Sequence, residues 1–292
     1  NKKQIVHRIF NKPLWLGDFD ISRKTILLHA EQGLGDTLQF CRYVNLVASR
    51  CAQVVLLVQK PLHAICATLA SKPLVFSDEK DLPGFDAHCP LMSLPYALGT
   101  VVDNIPNDVP YLFPDPQKVS VWHDQIGDAD LMKVGVVWNG GFHPERPSVW
   151  GVNSRRDIPL ALVKELSFPG VQLFSLQKEL KPRDAESGIG PEMINFVEQL
   201  NDFSDTAALI ENLDLVISVD TAVAHLAGAI AKPVWILNRY DSCWRWFVDR
   251  YNSPWYPTAR IYNQSKLGDW TSVVRRVSTD LGEYIRMRGS LE

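Results

Sequence analysis

The sequence predicts an α/β protein built from two Rossmann-like, doubly wound domains that face each other across a cleft. Short apolar runs alternate with helical patterns, which is typical of parallel βαβ units. A proline-rich segment near the middle divides this alternation into two series, and a chain of 292 residues is long enough for two domains. Because ligands of such sheets bind outside the carboxyl ends of the strands, we expect the site between the two halves.

The first half contains apolar runs that predict strands and amphipathic stretches that predict helices. In chain order these are strand Thr25–His29, helix 36–50, strand Val54–Val58, helix 61–70 and strands Leu74–Phe76 and Ala87–Cys89. Residues 100–116 then hold four prolines and no helical periodicity. Since proline interrupts both helices and strand ladders, this segment is the predicted junction between the domains.

The second half repeats the pattern after a helix near Lys118–Ile126. The predicted strands are Lys133–Trp138, Val171–Leu176, Leu215–Val219 and Pro233–Leu237, with helices expected at 160–166, 205–212 and 221–230. The residues from Asp269 onward have the pattern of one amphipathic helix. We therefore predict an N-terminal domain over residues 1–115, a C-terminal domain over 116–268, and a final helix over 269–292 that can pack back on the N-terminal domain.

Composition and charge argue against several classes of protein. Hydrophobic residues make up 46% and charged residues 22% of the chain, as in a folded globule. The net charge of -3 gives no reason to expect nucleic acid or an anionic membrane as a partner, and no apolar stretch approaches bilayer-spanning length. Five cysteines without CxxC spacing favour a reducing, cytoplasmic location. The first residue is Asn1 rather than Met, which indicates processing or a longer protein.

The first motif is the segment EQGLGD, which follows the first predicted strand and opens a helix. Gly33 and Gly35 allow a sharp turn and the close approach of a ligand to the helix N-terminus. A dinucleotide-binding GxGxxG is not matched, because Leu38 occupies the third glycine position and no acidic residue follows the second strand. Asp36 is then either a helix N-cap or a general base that faces the cleft, and the motif alone leaves both open.

The second motif is the pair Asp220-Thr221, where the strand LVISV meets the helix AVAHLAGAI. Either residue can cap this helix, whose free N–H groups favour a phosphate. Ala222 and the other small side chains keep the helix slim, so that its N-terminus can lie close to the sheet. His225 lies one turn after Thr221 on the same face, and it is either a satisfied core histidine or a ligand contact.

A third candidate region is the loop after the last predicted strand of the second half. It places Trp244, Arg245 and Trp246 close in sequence to Trp255 and Tyr256. Aromatic faces stack on sugars or bases, and arginine pairs with phosphate or carboxylate. The alternative is a loop that buries its own tryptophans. The histidines show no metal-ligand spacing, so no metal site is predicted.

Together these motifs resemble the heptosyltransferase-like glycosyltransferases of glycosyltransferase family 9, and more closely the transferase-like domain behind tetratricopeptide repeats in many bacterial proteins. The matching stretches are ILLHAEQGLGDTLQFCRY, FDAHCPLMSLP, SLQKE, DFSDTAALI, LDLVISVDTAVAHLAGA and SPWYPT, which lie between about Trp15 and Trp270. The resemblance implies a GT-B fold whose N-terminal half binds an acceptor and whose C-terminal half binds a nucleotide sugar. It also implies inversion at the anomeric carbon without a metal ion or other cofactor.

The resemblance assigns roles to single residues as well. Asp36 becomes the catalytic base, and either Arg155 or Arg156 offsets the charge of the donor diphosphate. Glu179 would contact the ribose, with Lys178 beside it. The full donor-binding set implied is Gly33, Gly35, Arg155, Arg156, Lys178, Glu179, Asp220, Thr221, Ala222 and His225, with Trp244, Arg245 and Trp246 as a candidate substrate loop.

Two loops depart from the family pattern. Residues 238–256 are rich in Trp, Arg and Tyr where heptosyltransferases often have a Gly-Pro-Thr type of turn. Residues 139–157 form a long loop that carries His143 and Arg146. Both loops lie where substrate specificity would be set, so heptose and ADP are not carried over as the substrate.

These observations predict transfer of a sugar from a nucleotide-diphosphate sugar to a hydroxyl on a glycan, lipid or protein acceptor. Tetratricopeptide repeats upstream of this chain are an expected partner. Two alternatives stay open at this point. One is a non-catalytic binding or scaffold module that keeps the fold, and the other is a sugar-nucleotide epimerase, which would act on the donor alone.

Overall fold

The computed structural model describes residues 10–127, 130–141 and 150–288. Within these ranges the chain forms two β-sheets, one in each half, and all their strands pair in parallel. The predicted α/β class with two Rossmann-like domains is confirmed. In this part of the chain, no helix combines the length and the apolar character that crossing a bilayer requires.

The N-terminal half is built on a four-stranded sheet. Its strands are β1 (Thr25–His29), β2 (Gln53–Leu57), β3 (Leu74–Phe76) and β4 (Ala87–Pro90), and its helices are α1 (Leu34–Phe40), α2 (Val44–Ala48), α3 (His63–Cys66) and α4 (Leu94–Ala97). The strand order is β3-β2-β1-β4. Ile26, Leu27 and Leu28 of β1 are fully buried, because both faces of this central strand are covered.

The C-terminal half is built on a six-stranded sheet. Its strands are β5 (Met132–Val137), β6 (Val171–Ser175), β7 (Met193–Asn195), β8 (Leu215–Val219), β9 (Val234–Asn238) and β10 (Ala259–Asn263). Its helices are α5 (Pro116–Ile126), α6 (Trp150–Arg155), α7 (Leu160–Lys164), α8 (Pro182–Ser187), α9 (Phe203–Glu211), α10 (Ala222–Ala229) and α11 (Trp270–Arg288). The order β10-β9-β8-β5-β6-β7 is the doubly wound arrangement of a complete Rossmann sheet.

Each sheet has one point at which the strand order reverses. In the N-terminal sheet this point lies between β1 and β4, and in the C-terminal sheet it lies between β5 and β8. The connections leave such neighbouring strands in opposite directions, which opens a crevice at their carboxyl ends. The residues that follow these four strands are therefore the ones that a ligand can reach.

Local capping explains where two of the longer helices begin. Asp115 precedes α5 and accepts a hydrogen bond from the Gln117 amide at 2.8 Å, while Pro116 takes the first helical position. Asp202 precedes α9 and accepts from the Ser204 amide at 2.8 Å. The two helices pack against each other, so α5 packs on the C-terminal half.

Several elements differ from those predicted. The predicted helix over 36–50 is divided into α1 and α2 by a 3-10 turn at Cys41–Tyr43, and α3 is shorter than expected because a 3-10 turn at Lys60–Leu62 precedes it. Strands β7 and β10 and helices α6 and α8 were not predicted. β7 has only three residues, and β10 directs the polar Arg260 to solvent, so neither gives a clear apolar run.

The final helix α11 corrects one expectation. Its buried residues Val273, Val277 and Leu281 join the hydrophobic cluster of the C-terminal sheet, and the helix packs on α7 and β10. It therefore covers the C-terminal domain rather than packing back on the N-terminal one. The reason is its apolar stripe, which is buried against the residues of the C-terminal sheet and of α7 in the same cluster.

The two halves share one hydrophobic core near α1 and α10. Leu38 of α1 and Leu226 of α10 belong to the same cluster of buried residues. Buried Arg42 connects three segments here, because it donates to the carbonyl oxygens of Pro106 at 2.9 Å and Trp255 at 2.6 Å and to the Tyr111 hydroxyl at 3.0 Å. The halves are thus in direct contact at the level of α1 and α10.

Candidate functional site

The turn between β1 and α1 is fixed by its own side chains. Gly33, rather than Asp36, is the N-cap of α1, and its φ of -71° does not require a glycine. Asp36 is the third helical residue, and its Oδ2 accepts from the Gly33 amide at 2.9 Å. Gln59, two residues after β2, accepts from the Thr37 hydroxyl at 2.9 Å and donates to the Gln32 carbonyl at 2.8 Å. The turn is therefore tied both to its helix and to the neighbouring strand.

Asp36 also has a partner from the other half of the chain. Its Oδ1 forms an ion pair with the Arg245 guanidinium. Arg245 is buried, donates to Gln39 Oε1 at 2.8 Å and stacks with its guanidinium 4.6 Å from the Trp244 ring centre. Both carboxylate oxygens of Asp36 therefore act as acceptors in the structure.

The turn between β8 and α10 forms the second part of the site. Thr221 is the N-cap of α10, but its hydroxyl bonds to the Ser218 hydroxyl at 2.9 Å instead of capping the helix. The first amides of α10, from Ala222 onward, therefore have no side-chain cap at the N-cap position. Thr221 and Ala222 are half-buried at the carboxyl end of β8, where a ligand phosphate could accept from these amides.

His225 is buried and hydrogen-bonded. Its Nδ1 lies 2.9 Å from the Tyr256 hydroxyl, and its ring stacks on Trp246 with the ring centres 5.1 Å apart. Burial lowers the pKa of His225 to about 3, although the Asp220 carboxylate nearby acts in the opposite direction. The imidazole is thus neutral at pH 7. These contacts match the core-histidine alternative, while the proposed donor contact stays a prediction.

Gly35 is the point at which the two motifs meet. A Cβ atom at Gly35 would lie 2.9 Å from His225 Cδ2 and 3.4 Å from Ala222 Cα. Only a residue without a side chain lets α1 approach α10 this closely. The first turns of the two helices, one from each half, therefore form a single continuous surface.

The two arginines that were candidates for binding the donor diphosphate have different surroundings in the structure. Arg156 donates from Nη1 to the Asp220 carbonyl oxygen at 2.7 Å, and its guanidinium lies over Gly140, where a Cβ atom would overlap it. It therefore occupies the crevice between β5 and β8. Arg155 points elsewhere and pairs with Asp241 at 3.1 Å. Of the two, Arg156 is placed to reach a phosphate at the N-terminus of α10.

Lys178 and Glu179 follow β6 and are both exposed. The Lys178 ammonium donates to the carbonyl oxygens of Val197 at 3.0 Å and Leu200 at 2.6 Å, so it is held beside the segment after β7. The role of Glu179 as a ribose contact, with Lys178 beside it in the donor site, stays a prediction. His143 and Arg146, which were predicted to lie in a loop over 139–157, lie outside the described residues.

A buried polar network beside this crevice was not predicted. Gln177 Oε1 accepts from the amides of Asn139 at 2.9 Å and Trp138 at 3.2 Å, and the Asn139 side-chain amide donates to Asp184 at 2.5 Å. This network fixes the backbone that leaves β5 and β6. Only the position of Asn139 directly after an apolar run could have indicated it.

The aromatic loop after β9 was predicted either to stack on a substrate or to bury its own tryptophans, and its residues do not all follow one of these alternatives. Trp246 is fully buried against His225, whereas the Trp244 side chain is 55% exposed. Phe247 and Asp249 take positive φ angles of 59° and 55°, a strained region for residues with side chains. The loop thus buries the rings of Trp246, Trp255 and Tyr256, whereas Tyr240, Trp244 and Tyr251 face solvent.

Glu31 is a candidate functional residue that was not predicted. It lies between β1 and Gly33 and accepts a hydrogen bond from the Met92 amide at 3.0 Å. Its signal in the sequence was an acidic residue at the carboxyl end of the first strand. Over the described ranges, no group of three or more His, Cys, Asp or Glu side chains is placed to hold a metal ion.

A comparison with protein families gives one match in this region. Residues 197–255 match the family model of glycosyltransferase family 9 (heptosyltransferase). The matched segment contains β8, α10 and the aromatic loop, and hence the motif from Asp220 to His225. The predicted resemblance to this family is confirmed, and the association with tetratricopeptide repeats stays a prediction.

One curated protein and two solved structures extend the comparison. Protein FlbA of Caulobacter vibrioides is 26% identical over 296 residues, covering 92% of this chain but only 48% of FlbA. The structure of E. coli ADP-heptose LPS heptosyltransferase II is 14% identical with a TM-score of 0.60, covering 91% of this chain and 99% of that one. A glycosyltransferase family 9 structure from Veillonella parvula is 11% identical with a TM-score of 0.63, covering 93% and 99%. The two structures share the fold, and this chain spans about half the length of FlbA.

Proposed function

We propose that this chain, which resembles glycosyltransferase family 9, transfers a sugar from a nucleotide-diphosphate sugar to an acceptor hydroxyl. The observation that carries the proposal is the direct contact between α1 and α10 at Gly35. It brings an anion-binding helix N-terminus from one half next to the carboxylate-bearing turn of the other. A donor and an acceptor bound at these two turns would meet at the boundary between the halves.

The donor would lie on the C-terminal half. The amides at the start of α10, which the Thr221 side chain does not cap, and the guanidinium of Arg156 both favour a diphosphate, and they lie at the carboxyl end of β8. Negative charge grows on the diphosphate as it leaves the sugar. Fixed donors that face such charge lower the barrier without rearranging during the reaction. This arrangement supports the proposal of transfer without a metal ion or other cofactor.

The acceptor would lie on the N-terminal half, beside the turn at Gly33. Attack by its hydroxyl on the face opposite the diphosphate inverts the anomeric carbon, and a carboxylate must take the hydroxyl proton. Asp36 is the base that the resemblance implies, and it lies at this turn. The glycan, lipid or protein that carries the hydroxyl stays open, and the exposed Trp244 offers one face on which a sugar ring could stack.

A second candidate function is a binding module without transfer activity. The ion pair between Arg245 and Asp36 favours it, because this pair occupies the carboxylate that the resemblance assigns as base. Such a module would bind a nucleotide sugar without turning it over. Binding of a nucleotide sugar is therefore expected of both the transferase and the binding module, whereas turnover of the nucleotide sugar is expected of the transferase alone.

Binding of the donor can be tested by titrating the protein with ADP, UDP, GDP and CMP in a calorimeter. We expect one of the nucleoside diphosphates to bind at micromolar concentration and to raise the melting temperature as its concentration rises. CMP serves as the control, since it lacks the second phosphate that Arg156 and α10 would hold. Equal, weak binding of all four nucleotides would contradict the proposed diphosphate site.

A further inference from the structure

The guanidinium of Arg156 lies between the ends of the two strands at which the order of the C-terminal sheet reverses. Its Nη1 donates to the carbonyl oxygen of Asp220, the residue that follows β8, at 2.7 Å. The guanidinium also lies on Gly140, three residues after β5, so closely that a Cβ atom there would overlap its Nε. Arg156 is therefore held from both sides of the crevice in which the donor diphosphate is proposed to bind.

The backbone at Gly140 does not itself require a glycine. Its φ angle lies outside the left-handed region that favours this residue. Apart from its own neighbours in the chain, the three heavy atoms nearest to an added Cβ all belong to the guanidinium of Arg156. At Gly35, by contrast, an added Cβ would also meet the backbone of Ala222. The steric reason for a glycine at position 140 is thus the arginine that rests on it.

Asp157 holds the backbone of Gly140 in place. Its Oδ1 accepts from the Gly140 amide at 3.2 Å, and its Oδ2 forms an ion pair with Lys181, the residue before α8. The Asp157 side chain is only 5% exposed, so water competes little for this hydrogen bond. Because Asp157 directly follows Arg156 in the chain, the arginine and the residue on which it rests are tied together.

We propose that Gly140 is a positioning residue for donor binding, which seats the Arg156 guanidinium beside the N-terminus of α10, and that Asp157 holds this seat. This role rests on the proposed diphosphate site and adds to it the residues that keep its cation in place. A mobile arginine side chain has many rotamers, and a phosphate that pairs with it has to restrict them. Because folding already fixes Arg156 between Gly140 and Asp220, a diphosphate meets a cation whose position needs little further restriction.

The test compares the affinities of ADP, UDP and GDP with those of AMP, UMP and GMP in calorimetric titrations. Gly140→Ala should keep a melting temperature close to that of wild type, because the added Cβ displaces only the end of a flexible side chain. Its diphosphate affinity should fall about 10-fold, as for a lost charged hydrogen bond, while its monophosphate affinity changes less. In the Arg156→Gln background the same alanine should lower the affinity less than about 2-fold, because no guanidinium is left to displace. A purely structural role of Gly140 would not produce this dependence on Arg156.

Two other glycines provide matched controls. Gly151→Ala, in α6, places a Cβ where no heavy atom lies within 4 Å apart from the neighbouring backbone of its own helix, and it should bind as wild type does. Gly135→Ala, in β5, places a Cβ 2.6 Å from Leu176 Cδ1 and should lower the melting temperature without changing the nucleotide affinity. A loss of affinity in Gly135→Ala equal to that in Gly140→Ala would overturn the proposal, because reduced stability would then explain both.

Asp157 can be tested without adding atoms to the seat. Asp157→Ala removes the acceptor of the Gly140 amide and should weaken diphosphate binding about 3- to 10-fold. Asp157→Asn keeps an oxygen for that amide and should weaken it less than about 2-fold. Both variants lose the charge that pairs with Lys181, so the difference between them isolates the hydrogen bond to Gly140.

Gly140→Ala with wild-type diphosphate affinity would overturn the positioning role, and equal affinities of the two Asp157 variants would overturn the part assigned to Asp157. A wild-type protein that binds none of ADP, UDP and GDP would instead contradict the proposed donor site. Wild-type affinity in Arg156→Gln would contradict the placement of the phosphates beside this arginine, and the role of Gly140 with it.

Discussion

The Arg245 guanidinium pairs with the Asp36 carboxylate across the boundary between the two halves of the chain. Both side chains are largely buried, and Arg245 is further held by Gln39. A buried ion pair contributes little compared with apolar packing, yet the loss of one partner leaves an uncompensated charge. The pair therefore fixes the aromatic loop of the C-terminal half on the first helix of the N-terminal half.

Replacing one partner of this ion pair should destabilise the fold, and replacing both partners should cost less than the two single losses added together. We expect Arg245→Met to lower the free energy of unfolding by about 2–4 kcal/mol, because Asp36 is left buried without its cation. The double variant Arg245→Met/Asp36→Asn should lose less than the sum of the two single variants. Urea unfolding of the four proteins measures this coupling. Additive losses would contradict an ion pair between these residues in solution.

The two neighbouring arginines should differ in their effect on ligand binding. Arg156→Gln removes the cation beside the α10 N-terminus and should weaken nucleoside diphosphate binding about 10- to 100-fold, the range for a charged hydrogen bond. Arg155→Gln removes only an exposed partner of Asp241 and should change the affinity less than about 2-fold. Calorimetric titration of both variants provides a matched comparison. Equal losses, or a larger loss for Arg155→Gln, would refute the placement of the phosphates.

Gly35→Ala tests the contact between α1 and α10. The added Cβ would lie 2.9 Å from His225 Cδ2, so the helices must move apart. We expect the free energy of unfolding to fall by about 1–3 kcal/mol. Gly282→Ala in α11, where the new Cβ meets no heavy atom within 4 Å apart from the neighbouring backbone of its own helix, is the control and should gain about 0.5–1 kcal/mol from helix propensity. A neutral Gly35→Ala would show that the two helices do not pack closely.

His225 should make the protein sensitive to acid. Its folded pKa of about 3 lies below that of an unfolded histidine, so above pH 6.5 it is neutral in both states and has no effect. Below pH 6.5 the histidine of the unfolded chain binds a proton, whereas the buried His225 of the folded protein stays neutral. The free energy of unfolding therefore falls as the pH is lowered. We expect this group to remove about 2 kcal/mol between pH 7 and pH 5.

His225→Phe keeps a ring on Trp246 and removes the titrating group. The difference in free energy of unfolding between wild type and this variant isolates His225, because Glu31 contributes equally to both. Glu31 acts with the opposite sign, since its raised pKa of about 7 makes stability fall as the pH rises from its unfolded value toward 7. A difference that does not vary between pH 7 and pH 5 would contradict a neutral, buried His225.

The sequence was sufficient for the fold class because buried parallel strands are apolar runs. Leu215–Val219 was predicted with the bounds that the structure has, since all five residues are buried. The edge strand Ala259–Asn263 was not predicted, because Arg260 interrupts its apolar pattern and faces solvent. Short strands at the edge of a sheet are defined by their pairing with a neighbour, which a local pattern does not contain.

The site was predictable only where its residues are close in sequence. The turns at Gly33–Asp36 and Asp220–Thr221 follow apolar strands, so their position at the carboxyl ends could be inferred. The pairing of Asp36 with Arg245 joins residues 209 positions apart, and it depends on the path of a loop. The choice between Arg155 and Arg156 likewise depends on where α6 ends, which adjacent residues of the same type cannot reveal.

Turnover of a nucleotide sugar tests the proposed transfer most directly. The purified wild-type protein is incubated with ADP-glucose, UDP-glucose and GDP-mannose, and the nucleoside diphosphate released is measured beside the Arg156→Gln variant. We expect wild type to release the diphosphate from at least one donor, and Arg156→Gln to release it at least about 10-fold more slowly at subsaturating donor. Binding of the same nucleotide by wild type with no release from any donor would contradict glycosyl transfer and favour the binding module.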